Sequence, residues 1–209
     1  MATTGALGPR YHRNMNDREY GDPFELFRLW FQEAERSEPN DPNAAALATS
    51  TLGGQPSVRM VLVKRADERG FCFFTNAESR KGRELETNPR AAICFYWKTL
   101  DRQVRVEGPV TQMEAADVDE YFHSRSRNSQ IGAAVSQQSR PLASREQLEA
   151  QFQRFAQEHP GEVPRPPYWC GFKLHAERIE FWMHGADRLH DRFLFTRKSG
   201  EWIRTRLYP

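Results

Sequence analysis

Nine short runs of alternating, β-branched and aromatic residues limit what this chain can fold into. AALATS leads into a Gly53-Gly54 turn, and SVRMVLVK follows, with Val58, Met60 and Leu62 alternating against Arg59, Val61 and Val63. FCFFT, AAICFYW and QVRVEGPVTQ come next, and GFKLH, RIEFWM, RFLFT and EWIRTRL close the sequence. Period two is the repeat of a strand with one buried face, and turn residues bound these runs. Helical patterns lie between them. One starts at Asp22, with Pro23 in its first turn, Glu25 completing a capping box, and Phe24, Phe27, Phe31 and Ala34 on one face. A second covers Ser79 to Asn88 and stops at Pro89; others cover Glu114 to Ser124 and Ser144 to His159, the last capped by Ser144 and Gln147. The pattern predicts a mainly β fold with peripheral helices (α+β), an antiparallel barrel with helices packed outside. Met1 to about Tyr20 lacks periodicity and reads as a mobile tail, leaving 21–209 as one domain.

Composition removes several function classes. Thirty basic residues against 28 acidic ones leave a net charge of +2, too even for a general nucleic-acid binder. No apolar stretch is long enough for a membrane helix, and MATTGALGPR lacks the apolar centre of a secretion signal. Cys72, Cys94 and Cys170 lie far apart with no CxxC pair, which fits a reducing cytoplasm and reads as small core filler. Of the 30 basic residues, 25 are Arg and 5 are Lys. Arginine suits bidentate contact with phosphate or carboxylate, so converging arginines are worth seeking, although a GC-rich genome also favours it.

Four stretches carry chemistry. In ESRKGREL, Arg80 and Lys81 occupy a first helical turn, where positive charge opposes the helix dipole unless an anion binds. Free amides, Ser79, Arg80 and Lys81 together make a phosphate cradle, with Gly82 allowing close approach; the alternative is a solvated basic turn. In RMVLVK, alternation sends Arg59, Val61 and Val63 to one face and Met60, Leu62 and Lys64 to the other. A half-buried arginine paired with a local acid is the competing view there. In YFHSRSRNSQIG, a helix reaching Arg125 puts Tyr121 and Arg125 on one face, and with Ser129 they form a second anion cradle; otherwise this is a helix end and a polar loop. In FWMHGADRLHDRF, Trp182, Arg188, His190 and Arg192 gather around a Gly-containing turn that can hold an aromatic ring, or that simply scatters surface charge.

Nucleophile, zinc-protease and Walker signatures are missing, and His184 and His190 have no third ligand, which argues against a metal. Two anion sites without a nucleophile point to a phosphorylated cofactor that carries the chemistry.

Together RMVLVK, FFTNAESRKGREL, RQVRVEGPV, YFHSRSRNSQIGA, VSQQSRP, IEFW and RLHDRF, in this order and ending in RLYP, resemble the pyridoxine 5′-phosphate oxidase family from about Asp22 to Pro209. The resemblance implies an FMN-binding split β-barrel that works as a homodimer with two flavins at the subunit interface. It places FMN contacts on Arg59, Met60, Val61, Leu62, Lys64, Phe74 and Thr75. Arg80 and Lys81 hold the FMN phosphate, with Gln138 and Ser139 helping from the partner chain, while Gln103, Trp182 and Arg192 meet the flavin rings. Lys64, Tyr121, Arg125 and Ser129 take the substrate phosphate, and Arg188 and His190, as catalytic residues, lie over its pyridine ring. The implied reaction oxidises pyridoxamine or pyridoxine 5′-phosphate to pyridoxal 5′-phosphate, with dioxygen reduced to hydrogen peroxide.

Two departures stand out. The family usually carries an upstream Arg and Tyr on a closing segment, but here Arg18-Glu19-Tyr20 runs almost directly into Asp22-Pro23. Met183-His184 also replaces a Gln-Gly pair beside the flavin. Two other readings remain: a related flavin oxidase acting on another aromatic such as a phenazine precursor, and a non-catalytic flavin or pyridoxal-phosphate binding protein.

Overall fold

The computed structural model describes residues 21–209, so the tail, with Arg18 and Tyr20, lies outside the described residues. Asp22 caps helix α1 (Pro23–Ser37) by accepting a hydrogen bond from the Phe24 amide at 3.0 Å. Leu26, Phe27, Trp30 and Ala34 form its buried stripe, with Phe24 and Phe31 packed at the margin. Strands β1 (Ala44–Ser50), β2 (Pro56–Asp67) and β3 (Gly70–Asn76) follow, then helix α2 (Arg80–Thr87), β4 (Arg90–Trp97) and β5 (Arg102–Gln112). Three helices come next: α3 (Ala115–Ser124), α4 (Arg127–Val135) and α5 (Arg145–Glu158). The chain ends in β6 (Trp169–Leu174), β7 (Arg178–Met183), β8 (Asp191–Lys198) and β9 (Glu201–Arg206).

The strands run β4-β1-β2-β3-β6-β5, and β4 also pairs with β5, so six antiparallel strands close into a barrel. Strand β5 serves two partners on one edge. Residues 110–112 pair with β6, while 102–107 pair with β7, which carries β8 and β9 away from the barrel wall. The strands expected from period-two patterning are therefore present, and the barrel places α1 and α2 against it.

Register separates two faces. Leu47, Ile93, Phe95, Val104, Val106, Phe181 and Phe195 point inward and are almost fully buried. Each such side chain contributes about 2–3 kcal/mol. A one-residue slip of β4 would trade Ile93 and Phe95 for Cys94 and Tyr96, so the inner set fixes the register. The outer face is different. Met60, Ala46, Cys94, Arg105, Glu180 and Leu194 form one cross-strand row over β2, β1, β4, β5, β7 and β8. On the same face Val58, Met60, Leu62 and Tyr96 are 69%, 63%, 40% and 54% exposed, so four large apolar side chains of β2 and β4 stand uncovered in the single chain. Cys72 and Cys170 are core filler as expected, but Cys94 sits half-buried on this outer face.

A smaller apolar cluster of Val118, Phe122, Ile131, Val163 and Trp169 ties α3 and α4 to β6. Helix α4 stands where the alternative reading of this stretch has a polar loop. Ser126 caps it, accepting from the Ser129 amide at 3.4 Å, and Gln130 and Ile131 are its buried residues.

Candidate active site

Ser79 caps α2, its Oγ accepting from the Gly82 amide at 3.3 Å, while the Arg80 amide donates to Ser139 Oγ at 3.2 Å. These first-turn amides, expected to be free for a phosphate, are spent within the chain, so anion binding here rests on side chains. The role of Gly82 also differs from the expectation. A Cβ at this position would lie 2.0 Å from the Ala77 carbonyl oxygen, so glycine is required by packing against the preceding turn.

Lys81 is buried, and its ammonium donates to Gln138 Oε1 at 2.7 Å, Thr75 Oγ1 at 3.1 Å and Ser79 Oγ at 3.3 Å. All three partners are neutral. Burial, reinforced by the charge of Arg59, lowers its pKa to about 8. A buried ammonium with no carboxylate among its partners is an arrangement that an anion relieves. Gln138 and Ser139 reach this cradle from the same chain, which corrects the expectation that the partner supplies them. Their segment is pinned locally: the Tyr168 hydroxyl donates to the Ala134 carbonyl at 2.5 Å, Asn76 Nδ2 to the Ser136 carbonyl at 3.3 Å, and Arg140 pairs with Glu78 at 2.7 Å.

A cleft of about 410 Å³ opens beside Lys81. Met60, Val61, Leu62, Lys64, Phe74, Thr75, Lys81, Tyr121, Arg125, Ser129 and Gln138 line it, joined by Ser126 and Trp169. Both expected anion cradles thus share one cleft. Phe74 stacks between Tyr121, at 4.0 Å, and Trp169, at 5.3 Å. The Arg125 guanidinium lies 5.2 Å from the Trp169 ring centre, and its Nη1 is buried without a hydrogen-bond partner. Burial lowers its pKa. Helix α3 stops at Ser124, so Tyr121 and Arg125 do not share a helix face; the turn into α4 brings Arg125 to the cleft instead. The hydroxyls of Ser126 and Ser129 stand 2.8 Å apart beside it. A larger hollow of about 600 Å³ beside α1 shares only Lys64 with the expected site.

Arg59 points to the inner side. Its Nη1 donates to Thr49 Oγ1 and its Nη2 to Ser57 Oγ, both at 2.5 Å, and it pairs with buried Glu84 at 3.4 Å. The paired-arginine alternative is the one realised, and Arg59 is absent from the cleft wall. Arg80 joins the same carboxylate, Nε to Glu84 Oε1, at 2.9 Å. Hydrogen bonds from Ser57, Thr49, Arg80 and Arg59 outweigh the burial that raises the Glu84 pKa and hold it at about 2.

The remaining expected residues gather elsewhere. Gln103, Trp182 and Arg192 are direct cross-strand neighbours on the outer face of β5, β7 and β8. Arg192 is fixed by Glu180, Nε to Oε1 at 2.8 Å, and by the Tyr208 carbonyl at 2.9 Å. The β7–β8 turn is strained: Asp187 and Arg188 have φ of 53° and 64°, and a Cβ on Gly185 would lie 2.0 Å from the Leu189 carbonyl oxygen. His190 Nδ1 accepts from the Gly185 amide at 3.2 Å, which puts the proton of the neutral ring on Nε2. Its ring lies 4.6 Å from Trp182 and 5.3 Å from His184. Of the Met183-His184 pair, Met183 turns into the core and only His184 faces this group. From β2 to β7 is four strand steps, roughly 19 Å along the sheet. In one chain the cleft and the platform of Gln103, Trp182 and Arg192 are thus separate groups of residues on different strands.

Sequence comparison matches residues 31–159 to the family described as pyridoxamine 5′-phosphate oxidase. Residues 169–209 match the pyridoxine 5′-phosphate oxidase C-terminal dimerisation region. The chain is 54% identical to the pyridoxine/pyridoxamine 5′-phosphate oxidase of Gluconobacter oxydans, over 90% of this chain and 94% of that protein. The enzyme of the same name from Rhodospirillum rubrum is also 54% identical, covering 93% and 100%. Among solved structures, PhzG from Burkholderia lata in complex with tetrahydrophenazine-1-carboxylic acid superposes with a TM-score of 0.86 at 33% identity, over 92% of this chain and 95% of that one.

Proposed function

The chain belongs to the pyridoxamine 5′-phosphate oxidase family, and from that membership we propose that it oxidises pyridoxamine or pyridoxine 5′-phosphate to pyridoxal 5′-phosphate with FMN in the cleft beside Lys81. The observation that carries this reading is a pair of unmet cations in one cleft: the Lys81 ammonium among neutral partners and the unpartnered Arg125 Nη1. Two phosphate-bearing molecules, cofactor and substrate, satisfy both. FMN supplies the two-electron acceptor, which dioxygen restores with release of hydrogen peroxide. The protein binds and orients. Lys81, Thr75 and Gln138 hold the FMN phosphate, and Arg125, Ser129, Tyr121 and Lys64 hold the substrate phosphate. This remote handle lets binding energy fix the position of the reacting carbon.

Two copies complete the site. The apolar outer face needs a cover, and the match to a dimerisation region supports a homodimer. An isologous pair brings one subunit's Gln103, Trp182 and Arg192 to the other's cleft. Arg188 and His190 then reach the substrate ring, His190 presenting its Nε2 proton as a donor. Two cations, Arg125 and Lys64, and the hydroxyls of Ser126 and Ser129 on one cleft wall favour a phosphate over the larger aromatic acid bound by the phenazine-related neighbour.

The test is anaerobic mixing of FMN-loaded protein with each phosphorylated vitamer. Flavin bleaching, with recovery and pyridoxal 5′-phosphate release on admitting air, is expected; a flavin that stays yellow with both vitamers contradicts the reaction.

A pH dependence follows from Lys81. Its charged form binds phosphate and is lost as pH rises through about 8, while the phosphate becomes dianionic above about pH 6. FMN affinity is therefore greatest between these values. Above pH 8 the Kd should rise by up to about tenfold per pH unit, and Lys81→Met should abolish that limb. A wild-type Kd flat to pH 9.5 contradicts the assignment.

A further inference from the structure

Glu84 follows Arg80 by one helical turn, is 4% exposed, and takes no part in the cleft wall. Thr49 and Ser57 each accept from Arg59 and donate to Glu84 Oε2, all four bonds at 2.5 Å. Arg59 Nη2 also pairs with Oε2 directly, and Arg80 Nε meets Oε1. The other acid near the cradle, Glu78, is exposed and paired with Arg140. One carboxylate thus fixes Arg80, in the first turn of α2, and Arg59, on β2 behind the cleft wall.

We propose that Glu84 is the positioning residue of the cofactor-phosphate cradle: it anchors Arg59 and Arg80 and sets the cradle's net charge to that of a phosphate dianion. Arg59 lies behind the cleft wall but its charge acts on Lys81, so with Lys81, Arg80 and one carboxylate the local charge is two positive, matching a phosphate monoester above about pH 6. The anchoring geometry agrees with this. Glu84 engages Arg80 only through Nε, which leaves the terminal nitrogens of that guanidinium for an anion. The two hydroxyls between Arg59 and Glu84 lock Arg59 in one orientation, so its charge stays beside Lys81, where it already acts on the ammonium. This role rests on the reading that FMN binds at Lys81.

Apo protein titrated with FMN and with riboflavin, which lacks the phosphate, separates the possibilities through quenching of flavin fluorescence. For Glu84→Gln, the FMN Kd should rise at least about tenfold, while the riboflavin Kd stays within twofold of wild type. Glu84→Asp, which keeps the charge, should recover part of the loss and serves as the second variant if the glutamine form folds poorly. Equal weakening of both flavins would mean that Glu84 only supports the fold. Unchanged or tighter FMN binding would mean that its charge merely opposes the phosphate; either result overturns the proposal. If the wild type binds FMN and riboflavin equally, the phosphate site itself is wrong, and the role of Glu84 falls with it.

Discussion

Replacing Arg125 by leucine is expected to raise KM for phosphorylated vitamers by about 100-fold or more while FMN affinity stays unchanged. A guanidinium bonding a phosphate contributes about 1.5–3 kcal/mol per charge-assisted hydrogen bond, and two such bonds account for that factor. Arg125 Nη1 has no hydrogen-bond partner, so its removal breaks no bond there within the chain. Burial already disfavours its charge. The variant should therefore melt at the wild-type temperature or above it, since a binding group held at a cost to stability can be removed without harm to the fold. Lost substrate affinity with retained stability is the combination that marks a ligand residue. A KM within threefold of wild type, or a clear fall in melting temperature, contradicts the assignment.

The second large effect concerns the outer face. Val58 is 69% exposed in the isolated chain and is not part of the cleft. If this face pairs with its own copy, Val58→Asp places a charge from each subunit in an apolar interface, at several kcal/mol per ion. The variant should sediment as a monomer and lose FMN affinity by about two orders of magnitude, because the platform of Trp182 and Arg192 no longer reaches a cleft. Circular dichroism should stay that of the wild type, since the side chain touches nothing in its own core. A dimer with full flavin affinity would contradict the arrangement.

Much of this was legible in the sequence, for identifiable reasons. The strands follow from period-two alternation because only one of their faces meets the core, and Asp22, Ser79 and Ser144 cap helices where the sequence places them. Helix α4 was not legible: 127–135 buries only Gln130 and Ile131, too few apolar positions to show a helical period. Trp169 follows three prolines within six residues, which mask the start of a strand, although it opens β6 and stacks on Phe74. Glu84 could have been found, since Arg80 and Glu84 stand at i and i+4. The chain of origin of Gln138 depends on how 134–140 docks on α2, a tertiary matter that local pattern does not encode. The same holds for the platform, whose residues meet only through the register of β5, β7 and β8.

The central claim, that each site is built from the cleft of one chain and the platform of another, is tested most directly by complementation. Lys81→Met disables the cleft and Trp182→Ala with Arg192→Ala disables the platform, so each homodimer is inactive. In a mixed dimer one site takes its intact cleft from one chain and its intact platform from the other. With random pairing on co-expression, about a quarter of wild-type activity and of FMN binding capacity should return. No recovery in verified mixed dimers would place each complete site within a single chain and contradict the account.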